Sequence, residues 1–223
     1  MDYLDFSGVL ARGDLLAKGL LLTAQISLIS MAIGLIIGVL SACLTLGGNR
    51  VLRITVLAYI EAIRNTPFIV QVFLIYFGLP ALGLRFDPIT AAITAMSIYG
   101  GAYISEIVRA GIEGINKGQI EAARALGLSG YRTFRHVVLK PALAAVFPSL
   151  SAQFILLLLS SSVVSAISVP ELTGVGNDIQ GMTLRNMEIY LVIAVIYVAL
   201  VALLRGLMLG IERWAFGYKF VGR

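Results

Sequence analysis

The chain has 223 residues, of which 59% are hydrophobic and 13% charged, and its formal net charge is +5. A soluble domain carries about 25% charged residues, so this composition, with a mean hydropathy of +0.94, excludes an ordinary soluble domain and points to a membrane protein. The positive charge calls for no nucleic-acid partner, because Lys and Arg beside membrane spans face anionic headgroups and set orientation.

The N-terminus, Met1-Asp2-Tyr3-Leu4-Asp5-Phe6, is acidic where a signal peptide is basic. The first hydrophobic run is therefore expected to stay in the mature protein, behind a short extracytoplasmic segment at 1–18. Charge-free runs mark the spans: Gly19 to Asn49, Asn65 to Leu84, Pro88 to Ser105, Pro141 to Pro170 and Ile189 to Leu204. A spanning helix needs about 20 mostly apolar residues. The pattern predicts an all-α polytopic protein with five membrane helices, over roughly 20–44, 66–84, 88–108, 141–167 and 189–211.

The first span carries Ser30, Gly34, Gly38 and Ala42 at intervals of four, a pattern that lets another helix backbone approach closely. Cys43, the only cysteine, cannot form an intrachain disulfide and is expected to be a small buried core residue. Val51 to Ile63 predicts a short helix near the inner interface, with Glu61 and Arg64 spaced to pair on one face. Thr66-Pro67 and Asp87-Pro88 put a capping side chain before a proline, which is tolerated at a helix start. Lys140-Pro141 reads as a start by the same proline argument, and Pro148 predicts a kink in the fourth span. The fifth run is short but extends through Gly206 to Ile211, with Arg205 facing a partner helix or snorkelling.

An odd number of spans puts the termini on opposite sides. With the N-terminus outside, thirteen of the seventeen Lys and Arg residues fall on inner segments, the bias that the positive-inside rule expects. The C-terminus, the 109–140 loop and the 213–223 tail are then cytoplasmic, with Trp214, Phe216 and Tyr218 forming an aromatic belt at the inner end.

Within that loop, Gly118 to Leu126 is rich in helix formers, and Gly127 is a natural left-handed stop. Ser129-Gly130 makes a turn, and Tyr131 to Leu139 predicts a second short helix leading into the fourth span. Glu121 and Arg124 are spaced to pair, and Ala122 and Ala123 leave a low surface. These residues alone fit either a solvated, salt-bridged loop or a docking surface.

The segment resembles the EAA loop of membrane subunits from binding-protein-dependent ABC importers, with its pattern E-A-A-x3-G-x9-I-x-L-P. Glu121, Ala122, Ala123, Gly127 and Leu139 match; Val137 stands for Ile, and the proline falls one place late, at Pro141. The stretch from Ile63-Arg64-Asn65-Thr66-Pro67 through Gln71 to Tyr76-Phe77-Gly78-Leu79-Pro80 is similar to polar amino acid permeases. So are Tyr99 to Ile112 and Val169-Pro170-Glu171-Leu172. Many such relatives carry a Lys-Asp pair late in the fourth span, where this chain has Leu159-Ser160.

The resemblance implies a type I ABC importer fold, with the transmembrane domain over about 19–212, in a bacterial inner membrane. It implies a second permease subunit, two ATP-binding subunits and an extracytoplasmic substrate-binding protein as partners. Glu121, Ala122, Ala123, Arg124 and Gly127 would couple to the ATPase. Gln71, Tyr99, Tyr103, Gln153, Ser160, Ser161 and Ser162 are the candidates for a polar substrate path. The chain lacks a G-x4-G-K-[ST] phosphate loop, so ATP and Mg would belong to the partner, and no cofactor, metal site or catalytic group is expected here. An ion-coupled secondary amino acid carrier is the alternative, but its usual intramembrane ionisable relay is missing from these spans. An intramembrane enzyme would need ligands or a nucleophile, and His136, the single histidine, lies in the cationic loop.

Overall fold

A computed structural model describes residues 4–217, and every regular element among them is helical. A short turn, α1 (Ser7–Leu10), leads into the long α2 (Gly13–Gly47). Two shorter helices follow, α3 (Arg50–Arg64) and α4 (Phe68–Phe73), and α4 continues through a π turn and a 3₁₀ turn to Leu82. Next come α5 (Pro88–Glu113), α6 (Lys117–Ala125) and α7 (Gly130–Arg132). After α7 a π turn over Thr133–Leu139 passes into α8 (Lys140–Ser160), and a 3₁₀ turn extends α8 to Ile167. The chain ends in α9 (Leu172–Thr183) and α10 (Asn186–Phe216).

Four stretches are long and apolar enough to cross a membrane: α2, α5, the continuous 130–167 helix and α10. The predicted second span is α4 and its continuation to Leu82, while α3 is the separate short helix expected before it, and the two meet at a bend of 110°. The other helices outrun the apolar runs that announced them, because charged ends such as Asp14, Lys18 and Glu113 continue the same hydrogen-bond ladder. Tyr218, Lys219 and Arg223, counted above with the tail and the aromatic belt, lie outside the described residues.

Pro141 does not start a helix; it sits inside one. Its ring conflicts with the carbonyl four residues back, and its nitrogen has no hydrogen to donate. The π turn over Thr133–Leu139 widens the helix at that carbonyl, on Val137. The same arrangement recurs at Pro80, which is preceded by the π turn Leu74–Gly78. Pro148 lies within α8, which continues through it. At Asp87 the predicted cap is present: its carboxylate accepts from the Ile89 and Thr90 amides, and the Thr90 hydroxyl, which also donates to it, acts with those amides to hold its pKa below the usual carboxylate value.

The stripe of small residues packs as expected. Ser30, Gly34, Gly38 and Ala42 are all buried, and α2 runs alongside α5 in the same direction. A Cβ added to Gly38 would lie 2.5 Å from Ile104 Cγ2 and 3.0 Å from the Ser105 amide. Only glycine permits that approach. Cys43 is a correction, since it is exposed. Its neighbours Ser41, Ala42 and Thr45 occupy the inward side of α2, which turns Cys43 outward by helical geometry.

The main core lies between α2, α4, α5, α8 and α10 and includes Ile26, Val72, Met96, Leu157 and Leu204. A second cluster, with Leu16, Leu172, Ile179, Ile189 and Ile193, seats α9 across the end of the bundle against α2 and α10. Large apolar side chains such as Leu21, Leu28, Ile36, Val195 and Val198 remain exposed around the outside, which suits a surface facing hydrocarbon rather than water.

Candidate functional site

The loop between α5 and α8 is a rigid object rather than a loose connection. Asn116 caps α6 by accepting from the Gly118 amide at 2.8 Å. At the other end Gly127 has φ +75°. The Gly127 amide donates to the Arg124 carbonyl at 2.9 Å, and the Leu128 amide donates to the Ala123 carbonyl at 3.1 Å. Those two bonds are a Schellman stop. The left-handed turn predicted at Gly127 is therefore present.

The side chains of α6 divide into two faces. Ala123 is buried, and the helix packs against the turn containing buried Thr133. Glu121, Ala122 and Arg124 point outward. Of the two alanines, one anchors the helix and one keeps its outer surface low. Among the described residues Glu121 and Arg124 form no ion pair, so the pairing expected from spacing is not made. Leu126 is 82% exposed and Tyr131 68%, with Phe134 beside them in sequence and also exposed. A charged and apolar outer surface of this kind, on a fixed helix, is suited to docking.

An ionic lattice that sequence reading passed over joins the last turns of α5 to the end of α3. Arg109 grips Glu106 with both arms of its guanidinium, Nε to Oε1 at 3.0 Å and Nη2 to Oε2 at 2.8 Å. Its Nη1 also reaches Glu113 at 2.7 Å. Arg64, at the end of α3, pairs with Glu106 at 3.3 Å and lies over the Tyr103 ring, 5.5 Å from its centroid. The expected Glu61–Arg64 pair is thus replaced. Glu61 instead accepts from the Asn65 side chain at 2.8 Å, because the break after α3 turns Asn65 back over the helix end. The Glu106, Arg109 and Glu113 spacing was readable as i,i+3 and i,i+4 neighbours; the arrival of Arg64 from another helix was not.

Among the residues predicted for a polar path, Tyr99 and Tyr103 stand in ring contact. Gln71 is buried and its amide donates to the Ile63 and Thr66 carbonyls at 2.8 and 2.9 Å. It holds the bend between α3 and α4. Tyr99 stacks on Phe68 and on Tyr103, with ring centroids 4.8 and 4.9 Å apart. Gln153 is buried on α8, and its Nε2 has no partner among the described residues. Ser160, Ser161 and Ser162 each donate to a carbonyl three or four residues back in their own helix.

A buried carboxylate at the far end of the bundle was also missed. Glu171 is fully buried and caps α9, accepting from the Gly174 amide at 2.8 Å. Its other oxygen accepts from Thr23 at 3.3 Å and Tyr197 at 2.9 Å. Burial raises its pKa against the opposing pull of these hydrogen bonds. Thr23 and Tyr197 are far away in sequence, and no local pattern announces them.

An all-helical bundle with several stretches long and apolar enough to cross a membrane, and an ordered helical loop between α5 and α8, is the architecture of a polytopic membrane protein. Residues 34–216 match the family model described as binding-protein-dependent transport system inner membrane component, and the chain belongs to that family. It is 39% identical over 211 residues to the glutamine transport system permease protein GlnP of Escherichia coli (strain K12), covering 94% of this chain and 96% of that one. It is 34% identical over 202 residues to the nopaline transport system permease protein NocM of Agrobacterium fabrum, covering 86% and 84%. A crystal structure of an amino acid ABC transporter with histidines superposes with a TM-score of 0.88 at 34% identity, over 94% of this chain and 98% of that one. The fold is that of a type I ABC permease.

Proposed function

We propose that this chain is the permease subunit of an ATP-driven importer for a polar amino acid, set in the bacterial inner membrane with its N-terminus outside and the α6 loop in the cytoplasm. A second permease subunit would complete the path. Two ATP-binding subunits would grip the loop, and an extracytoplasmic binding protein would deliver the solute. The outer surface of α6 carries the reading. It presents Glu121, Ala122 and Arg124 on a helix locked by Gly127 and anchored through Ala123. A rigid handle transmits the opening and closing of a partner to the spans as a rigid-body movement. The relatives named for glutamine and nopaline support a polar amino acid as the solute, and the charge bias supports the orientation.

The lattice of Arg64, Glu106 and Arg109 would carry that movement from α5 to α3, at the bend before the second span. The polar path is proposed for Gln71, Tyr99, Tyr103 and Gln153 with Ser160, Ser161 and Ser162. Purified with candidate partners in liposomes, the complex is expected to hydrolyse ATP faster when one loaded binding protein is added. Glu121→Lys is expected to weaken retention of the ATPase. Full retention in that variant, with unchanged stimulation, would count against the docking assignment.

A further inference from the structure

Arg205 stands within the apolar body of α10, exposed on its surface. Among the described residues no carboxylate lies within ion-pair distance of it. A guanidinium facing hydrocarbon demands an anionic partner or a route to the headgroups. Arg205 is exposed through a groove rather than on a flat face. It lines a groove of about 410 Å³ between α8 and α10, walled by Ala152, Ile155, Val201 and Met208. Glu212 lines the same groove, seven residues on and so about 10 Å nearer the end of the helix. Trp214 is 88% exposed just beyond it, the position of an aromatic side chain at a membrane–water boundary.

The order of charges along this groove decides what fits it. The cation lies deeper and the carboxylate nearer the water. A phosphatidylethanolamine presents the reverse order from the hydrocarbon outward: acyl chains, then phosphate, then ammonium. We propose that the α8–α10 groove is a binding site for one phosphatidylethanolamine. Its phosphate would sit on Arg205, its ammonium toward Glu212, and an acyl chain along the apolar wall. The guanidinium fork suits a phosphate bidentately. Glu212 keeps its own contact within the chain, and a carboxylate with about four acceptor positions has room for an ammonium as well. Phosphatidylglycerol offers the same phosphate but no cation, so Glu212 would disfavour it. The inference does not depend on which side of the membrane this end faces.

Native mass spectrometry of the detergent-purified full-length chain, given phosphatidylethanolamine and phosphatidylglycerol at equal concentration, tests the site. Wild type is expected to retain one phosphatidylethanolamine in clear preference to phosphatidylglycerol. Arg205→Ala is expected to weaken retention about tenfold, the loss of one charge-assisted hydrogen-bonded contact. Arg205→Lys, which keeps the cation but not the fork, should fall between. Glu212→Gln should abolish the preference while leaving phosphatidylglycerol bound. Equal retention of the two lipids by wild type would overturn the proposal, and so would unchanged retention in a folded Arg205→Ala. A copy-to-copy disulfide through Ile155→Cys, in a Cys43→Ser background, would show that a second copy covers the groove and would also overturn it.

Discussion

The Tyr197 hydroxyl donates a 2.9 Å hydrogen bond to the Glu171 carboxylate, joining the cap of α9 to the middle of α10. Thr23 of α2 completes the arrangement by donating to the same carboxylate and accepting from the Leu172 amide at 2.9 Å. Three helices are thereby fastened at one buried point. Glu171→Ala would leave the Thr23 hydroxyl and the Gly174 amide without their acceptor, while the Tyr197 hydroxyl keeps Thr173, at 3.0 Å. Each unsatisfied buried group costs about 1–3 kcal/mol, so the variant should melt well below wild type in a detergent thermal-shift assay. Tyr197→Phe removes one partner only and should cost about 1 kcal/mol. Equal melting of wild type and Glu171→Ala would show that the point fastens nothing.

The same carboxylate makes a pH prediction. Burial raises its pKa in the folded state, so the folded chain binds this proton more tightly than the unfolded one. That contribution to stability is present below the ordinary Glu range and is lost as pH rises through the raised value. Glu171→Gln cannot ionise. The change in unfolding temperature on raising the pH from acid toward neutral should contain a falling component in wild type that Glu171→Gln lacks. Parallel pH profiles for the two would refute the assignment.

Gly127 separates backbone conformation from packing. A Cβ there meets nothing within 4 Å, yet φ is +75°. A β-branched residue would pay about 1–2 kcal/mol for that backbone alone. Gly127→Val should insert normally and keep its bundle, but lose most uptake because α6 no longer ends in a fixed orientation. Gly127→Asn, which tolerates the left-handed region, should retain most of it. Full uptake by Gly127→Val, measured beside membrane insertion, would remove the loop from the mechanism.

Gly38 makes the opposite test. Its φ is ordinary, but a side chain would strike Ile104 and the Ser105 backbone. Gly38→Val must part α2 from α5, and overpacking of this kind costs about 1–3 kcal/mol. The expected result is a lower melting temperature and less folded protein in the membrane fraction. Gly210, where a Cβ meets nothing, should accept alanine without loss.

The sequence made some of this legible and hid the rest for physical reasons. Local signals read well: the cap at Asp87, the stop at Gly127, the close approach at Gly34 and Gly38. Each depends on neighbours within a turn or on one helix face. The family resemblance of the loop and of the Asn65-Thr66-Pro67 stretch points to a permease without recourse to geometry. Pro141 misled, because a proline can sit inside a helix when a widened turn relieves its carbonyl conflict. Cys43 misled because an apolar run in a membrane helix has no period to show which side faces lipid. Arg64 and Glu106, or Thr23 and Glu171, meet only once the bundle is folded, so no spacing could announce them.

The central claim is that ATP, acting through the α6 loop, drives solute inward. The most direct measurement is uptake of labelled glutamine, taken as the first candidate solute, into liposomes that hold the chain with its co-purified ATPase. The loaded binding protein is supplied outside, and ATP is sealed inside or left out. The account predicts uptake only with both ATP and binding protein, unaffected by collapsing ion gradients and lost in Gly127→Val. If no solute is taken up, the trial is repeated with other polar amino acids and their binding proteins. Uptake that follows an imposed ion gradient without ATP would contradict it and favour a secondary carrier.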